Sequence, residues 1–473
     1  MSFADLELLR LGVRLEPLLQ AICDFLDKQP ALIERVRHDL VSGLKKPDKG
    51  RRGLTAPQVL RALVLMRVKN WDYRELRERI ADGITLRQFT DFYCAKVPKH
   101  DAFNRSFNRL TPATLKAVND LIVEAAVKLG LEDGSKLRVD TTVVETDIHH
   151  PTDSTLLWDV VRVLTRLIGR LAEALELRRI AGFRNRSRVA HRRMYEIQRM
   201  TARQRQGKGS RHIATYRTLI AIAKEVVAGA EAALETTAMM RGKDLMTAMK
   251  IDALREEIAH YCGLGARVID QARRRVLDCE QVPTAEKIYS IFEPHTDLIK
   301  RGKVRTPVEF GHKVFLAESA KGLITQYDVL KGNPVDEVHV APSLKRHRRV
   351  FRRAPQLYAA DRGFFSERNV MVCVRGGVAT ACIPQRGGSK TPQRQAYERS
   401  APFKQGQRFR AGIEGRISVL MRGRGMKRCR AEGAERFALF VGAAVLANNL
   451  MIVGTLLTKR SRRRSKTNRQ FLS

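Results

Sequence analysis

One β-branched run, Leu137-Arg-Val-Asp-Thr-Thr-Val-Val144, stands between two long stretches of helical pattern. Side chains branched at Cβ favour extended backbone, so the run predicts a strand. A strand cannot satisfy its own backbone N–H and C=O groups, and its partners must come from elsewhere in the chain. The next strand-like segments lie far downstream. Phe310, His312, Val314 and Leu316 alternate, Ala320-Lys-Gly322 supplies a turn, and Ile324, Gln326, Asp328 and Leu330 alternate on the return. Leu357-Tyr-Ala-Ala360 predicts a short strand ending at Asp361, with Gly363 breaking it and Ser366 set to cap a helix. Val378-Ala-Thr-Ala-Cys-Ile383 predicts another. The chain therefore reads as mixed α/β: a mixed sheet with flanking helices, preceded by a helical region and interrupted by a helical insertion after its first strand.

The boundaries expected are 1–134 for an N-terminal helical DNA-binding or dimerisation domain, 135–150 with 284–458 for the sheet domain, 151–283 for the insertion, and 459–473 for a basic tail. Helix starts are predicted at Thr55 with Gln58, Asp72 with Glu75, Thr85 with Gln88, and Thr111-Pro112. Behind Asp72, Leu76 and Ile80 turn inward while Arg74, Arg77 and Arg79 turn outward. Short helices carrying arginines suit a helix-turn-helix DNA reader, and equally a small bundle that packs or dimerises.

Charge narrows the partners. The 473 residues hold 88 Lys and Arg against 50 Asp and Glu, a net +38. Thirteen basic residues face one acid, Glu196, between Arg178 and Arg217, and nine face one acid, Glu414, between Ala401 and Arg430. The segment Lys459-Arg-Ser-Arg-Arg-Arg-Ser-Lys466 is almost wholly basic. Separate runs without compensating acid favour nucleic acid, because each bound phosphate releases counterions. Aromatics are only 6%, which favours gripping duplex backbone over stacking on single strands. The apolar stretch from Phe437 to Leu457 imitates a membrane span, but Asn448 and Asn449 sit in its middle, so a buried helix and no membrane partner are expected. The first ten residues mix acid and base and do not read as a secretory signal. Seven scattered cysteines without a Cys-x-x-Cys pair suit a reducing cytoplasm.

Three acids stand out by their surroundings. Asp140 lies in the apolar strand, where a carboxylate is expensive without a cation or a donor. Asp361 ends a later strand, and Glu414 is alone in a basic helix. Singly, each has an ordinary explanation: a strand-end turn, a glycine turn, an ion pair with Arg410. Together they compose a hard-oxygen set suited to Mg²⁺ or Mn²⁺, and two such ions can activate an attacking oxygen and stabilise a leaving one on a phosphodiester. Asp147, His149 and His150 read as loop or cap, and Asp297, Asp328 and Asp336 as ordinary turn or hairpin residues.

These contexts resemble the RNase H-like DDE transposases of bacterial insertion sequences, of the type with an interrupted catalytic domain, such as the ISNCY group. Val139-Asp-Thr-Thr142 resembles the segment of the first Asp, and Tyr358-Ala-Ala-Asp-Arg-Gly-Phe-Phe-Ser366 that of the second, the most specific match. Arg410-Ala-Gly-Ile-Glu-Gly-Arg-Ile-Ser418 resembles the Glu helix, and Val441 to Leu450 the closing helix. Leu54 to Leu110 is similar to the family's N-terminal domain. Where that family's Glu motif has Tyr and Lys at fixed distances, this chain has Gln407 and Met421, with Phe409 and Arg422 as the nearest substitutes.

The resemblance implies an enzyme that hydrolyses phosphodiesters at element ends and joins the freed 3′-hydroxyl to target DNA. It implies Asp140, Asp361 and Glu414 as catalytic residues and ligands of two Mg²⁺ or Mn²⁺ ions, with Asp140 shared. Arg410, Arg416 and Arg422 would hold phosphates near the site. Arg74 and Arg77 of the N-terminal region, and Arg186 and Arg192 of the insertion, would contact DNA. The implied partners are the terminal inverted repeats, target DNA and further copies of the chain, in a nucleoid-associated cytoplasmic setting. The alternative is a non-catalytic, sequence-specific DNA-binding protein whose acids are structural.

Overall fold

A computed structural model describes residues 3–10, 12–46, 53–203, 209–300 and 308–470. The basic runs predicted at Arg178–Arg217 and 459–473 therefore fall partly outside the described residues, at 204–208 and 471–473. By its contacts the chain divides into two units, Met1–Thr146 with Gly311–Ser473, and Asp147–Phe310.

The fold is mixed α/β, as the alternation of strand and helix patterns predicts. Among the described residues there are seven strands: β1 (Lys136–Thr146), β2 (Asp297–Lys300), β3 (Val308–Ser319), β4 (Ile324–Val329), β5 (Leu357–Ala359), β6 (Thr380–Cys382) and β7 (Arg428–Cys429). The sheet order is β2-β3-β1-β5-β6, with β4 also on β3 and β7 also on β1. β3 runs antiparallel to β1 and β4, whereas β5 and β7 run parallel to β1, and β6 parallel to β5. The predicted hairpin is β3–β4, and its register shifts between Ala317 and Glu318.

In the first unit, the N-terminal helices pack as a bundle on the long C-terminal helix Ala434–Gln470. Leu60, Val64, Leu76, Phe103 and Ile122 share one core with Leu446, Leu450 and Val453. Thr55 closes a reciprocal capping box with Gln58, and Asp72 accepts from the amides of Arg74 and Glu75. Thr111 caps the helix that Pro112 begins. Thr85 does not start a helix: it lies inside Ile84–Phe89, whose first residue follows Gly83. The C-terminal helix passes the length and hydropathy test for a membrane span, but 72% of its most apolar window is buried inside the protein. The two amides at mid-span explain themselves there. Asn449 accepts from the Ile324 amide at 2.9 Å and donates to the Ile324 carbonyl at 2.8 Å and to Asn119 at 2.7 Å, tying the helix to β4 with its polar groups satisfied.

One face of the sheet holds Leu137, Val139, Phe315, Ala317, Tyr358 and Phe364 in a second core. The second unit is helical over most of its length, with Asp153–Ala174, Ser210–Thr237 and Leu245–Ala272 sharing a core of Leu157, Val160, Leu164, Leu219, Ala223, Ile258 and Val268.

Candidate catalytic site

Alternation along β1 sorts its side chains. Leu137 and Val139 enter the core described above, which leaves Lys136, Arg138 and Asp140 on the opposite face. The helix Ala401–Ser418 covers that face. Arg138 donates to the Phe409 carbonyl at 2.6 Å and lies over the Phe409 ring at 4.7 Å. The approach is close because two positions have no side chain. A Cβ on Gly412 would stand 2.2 Å from Arg138, and one on Gly406 would stand 2.7 Å from Cys382 Cβ. Ser400 caps this helix, so it begins six residues before the Gln407 suggested by its apolar stripe.

The pairing of β1 with β5 fixes the first two acids. Lys136 pairs with Leu357, Leu137 with Tyr358 and Arg138 with Ala359, a constant offset of 221. The same offset separates Asp140 from Asp361. Asp361 lies two residues past the end of β5, beyond the paired register, and its charge bears on Asp140, so the two acids stand near one another. It caps the short turn Arg362–Phe364, accepting from the Gly363 amide at 2.8 Å.

A further acid joins them. Asp336 begins the short 3₁₀ turn Asp336–His339, accepts from the Thr141 hydroxyl at 3.0 Å, and pairs with Lys313 at 2.7 Å. An atom at the Cβ position of Gly363 would lie 3.0 Å from both Asp336 Oδ2 and Asp361 Oδ1. Those oxygens are thus no more than about 6 Å apart, within the range over which carboxylates perturb one another. The consequence appears on Asp140. Burial, and then the charges of Asp361 and Asp336, push its pKa up to about 6, against the pull of the Thr141 amide and of Arg410.

Glu414 stands differently. Its side chain is 68% exposed and pairs with Arg410 at 3.2 Å. Arg410 links the two halves of the site, acting on Asp140 by its charge while bonding Glu414. The structure thus brings Asp140, Asp361 and Asp336 into one electrostatic cluster and joins Glu414 to it through Arg410. Among the described residues, no group of three or more His, Cys, Asp or Glu is set closely enough to hold a metal ion outright.

The basic residues also separate by role. Arg416 turns inward, bonding the fully buried Glu318 at 2.9 Å and Asn448 at 3.2 Å, while Arg138 takes the other Glu318 oxygen at 2.7 Å. Arg422 is exposed, as are Arg74, Arg77 and Arg192. Arg186 pairs with Glu225 at 3.0 Å. In the second unit, His149 pairs with Asp159 at 3.2 Å, and Asp159 also accepts from Arg162 at 2.7 Å.

Asp336 is the residue that sequence reasoning passed over. A signal existed in its partner: Lys313 sits at the parity of Phe315 and Ala317, so a lysine interrupts an apolar face and requires an acid opposite it.

Comparison with known proteins bears on the N-terminal bundle. Residues 13–109 match the family model described as Transposase domain (DUF772). Neither a curated protein nor a solved structure matches the chain. The family match supports a transposase function, and a transposase takes DNA as its partner.

Proposed function

We propose that this chain is the DDE-type transposase of an insertion sequence, with an RNase H-like catalytic domain that cuts element ends and joins them to target DNA. The observation that carries the reading is that Asp361 follows β5, the parallel neighbour of the strand carrying Asp140, and bears on Asp140 by its charge, beside the helix that carries Glu414. Three antiparallel strands followed by two parallel ones, in the order β4-β3-β1-β5-β6, support that fold assignment.

The donors fit a divalent cation. Asp140 is a buried carboxylate whose ionised form is opposed by two further carboxylates, an arrangement that a cation relieves. Asp140 and Asp361 would hold Mg²⁺ or Mn²⁺, with Glu414 contributing from the helix when its carboxylate leaves Arg410. The ions would supply charge stabilisation and an activated attacking oxygen. The protein's own residues do the rest. Asp361 is oriented by the Gly363 amide, and Asp140 by the Thr141 amide. Arg410, once freed from Glu414, and exposed Arg422 are available to scissile-strand phosphates, whereas Arg416 is occupied by Glu318. Arg74, Arg77 and Arg192 present exposed cations to duplex backbone, with terminal repeats and target DNA as the substrates and a homodimer or higher assembly as the working form.

The test is a supercoiled plasmid carrying the element ends, incubated with Mg²⁺ and either wild type or Asp361→Asn. Metal-dependent strand cuts and joined products in wild type alone are expected. One observation, the pairing of Glu414 with Arg410, favours a non-catalytic DNA-binding protein instead. That reading wins if both proteins bind the ends equally and neither cuts.

A further inference from the structure

Strand pairing is not all that holds Asp140 and Asp361 near one another. Asn369 is 6% exposed and belongs to the helix Glu367–Arg375, which Ser366 caps. Its side-chain amide donates to the Glu337 carbonyl at 2.8 Å and to the Phe364 carbonyl at 3.0 Å. Those carbonyls belong to two different turns, Asp336–His339 and Arg362–Phe364. An amide NH₂ has two hydrogens, and here both are used on backbone. One buried side chain therefore locks the turn that Asp336 begins to the turn that Asp361 caps.

The Asp336 turn is tied to β1 and β3 as well. Asp336 Oδ1 accepts from the Thr141 hydroxyl at 3.0 Å and pairs with Lys313 at 2.7 Å, and Lys313 also donates to the Pro334 carbonyl at 2.8 Å. Thr141 follows Asp140 on β1, and its amide is the donor to Asp140 Oδ1 at 2.7 Å. A path of hydrogen bonds and single turns thus runs from Asp140 through Thr141, Asp336, Asn369 and Phe364 to Asp361. It connects the two acids independently of the pairing of β1 with β5.

We propose that this brace, with Thr141, Asp336 and Asn369 as positioning residues, holds Asp140 and Asp361 at a fixed separation and so selects Mg²⁺ over Ca²⁺. The inference rests on the cation-binding reading given above and adds to it a choice of ion. Mg²⁺ demands near-ideal octahedral geometry, whereas Ca²⁺ accepts more oxygens in looser arrangements. A rigid pair of carboxylates favours the smaller ion, and a loosened pair forfeits that advantage.

The experiment uses the full chain with MgCl₂ or CaCl₂ at constant ionic strength, and reads the urea midpoint against cation concentration. A cation that binds only the folded state raises the midpoint, so each titration yields an apparent affinity. Wild type should respond to Mg²⁺ at lower concentration than to Ca²⁺, and Asp361→Asn should lose both responses. Thr141→Val removes the hydroxyl while keeping the shape, and Asn369→Ala removes both amide bonds. Each should weaken Mg²⁺ about tenfold and Ca²⁺ less than about twofold, whereas Thr141→Ser should keep the wild-type ratio. Asn449→Leu loosens the protein away from the brace, and should lower every midpoint without moving the ratio. A purely structural role for the brace predicts lower midpoints and an unmoved ratio in all these variants. Absence of a saturable Mg²⁺ response in wild type, or its persistence in Asp361→Asn, would remove the cation reading and the brace together. A wild type that prefers Ca²⁺, a ratio that survives Thr141→Val, or a ratio that falls as far in Asn449→Leu would overturn the brace alone. Should Asn369→Ala fail to fold, Thr141→Val against Thr141→Ser decides.

Discussion

Replacing Asp140 by Asn should stabilise the protein, and only above a definable pH. Burial and the neighbouring Asp361 and Asp336 carboxylates raise Asp140 to about 6 from an ordinary 3.8. The folded state therefore favours the protonated form more than the unfolded chain does. An acid with a raised folded pKa imposes no penalty below its unfolded value; the penalty grows as pH rises from about 4 to 6 and is complete above that. A displacement of about two pKa units corresponds to about 3 kcal/mol. The Asn variant escapes this penalty while keeping an oxygen to accept from the Thr141 amide, which Asp140 now holds at 2.7 Å. At pH 8 the variant should gain up to about 3 kcal/mol, or roughly 3–5 °C in unfolding midpoint for a unit of this size. At pH 4 it should gain nothing. Thermal scans of both proteins at the two pH values read this directly. Millimolar Mg²⁺ at pH 8 should raise the wild-type midpoint and leave the variant nearly unmoved, because the cation replaces the missing proton. A destabilised variant at pH 8, or the same shift at both pH values, would refute the electrostatic reasoning.

Other perturbations test the frame around the site. Glu318→Gln removes the charge that both arms of the buried Arg138–Glu318–Arg416 network share and sets an NH₂ donor against one of the two arginines, and should cost about 3–5 kcal/mol, measured as a lower urea midpoint. Gly406→Ala puts a Cβ 2.7 Å from Cys382 Cβ and should destabilise by about 1–3 kcal/mol, while Gly415→Ala, with open space around it, should be neutral or stabilising by up to about 1 kcal/mol; paired thermal scans separate them. Asn449→Leu takes the side-chain partner from the Ile324 amide and from Asn119 Oδ1, leaving the Ile324 carbonyl its bond from Asn119, and should cost about 2 kcal/mol or more by the same denaturation assay.

Much of this architecture is legible in the sequence because local rules act without competition there. Leu137–Val144 is β-branched and forms β1, and the alternation around Ala320-Lys-Gly322 forms the β3–β4 hairpin. Thr55 and Gln58 complete their capping box. Thr85 has the same spacing to Gln88 and fails, because Gly83 has already begun the helix and the Thr85 amide is inside its first turn. Asn448 and Asn449 argue against lipid from the sequence alone, but the partners of Asn449 on β4 and at Asn119 are more than a hundred residues distant and no local pattern names them.

The acidic site divides along the same line. Asp140 and Asp361 are conspicuous because one interrupts an apolar strand and the other closely follows one, and the parallel pairing of β1 with β5 is what brings the two acids near one another. Asp336 has no such context. Its place follows from Lys313 on β3 and the hydroxyl of Thr141 on β1, two side chains that only the folded sheet aligns. Glu414 is conspicuous as the lone acid of a basic helix, yet its conformation follows from Arg410, one turn earlier, which also faces the field of Asp140. A single arginine shared between a buried acid and an exposed one makes the charge balance of the site depend on what else is bound. An added cation near Asp140 repels Arg410 and weakens its hold on Asp140, while a phosphate offers Arg410 a better partner than Glu414. The phosphate, by taking Arg410, releases the Glu414 carboxylate to a cation, and the cation frees Arg410 from Asp140 to meet the phosphate, so cation and nucleic acid should each favour the other's binding, a coupling that Arg410→Gln would diminish.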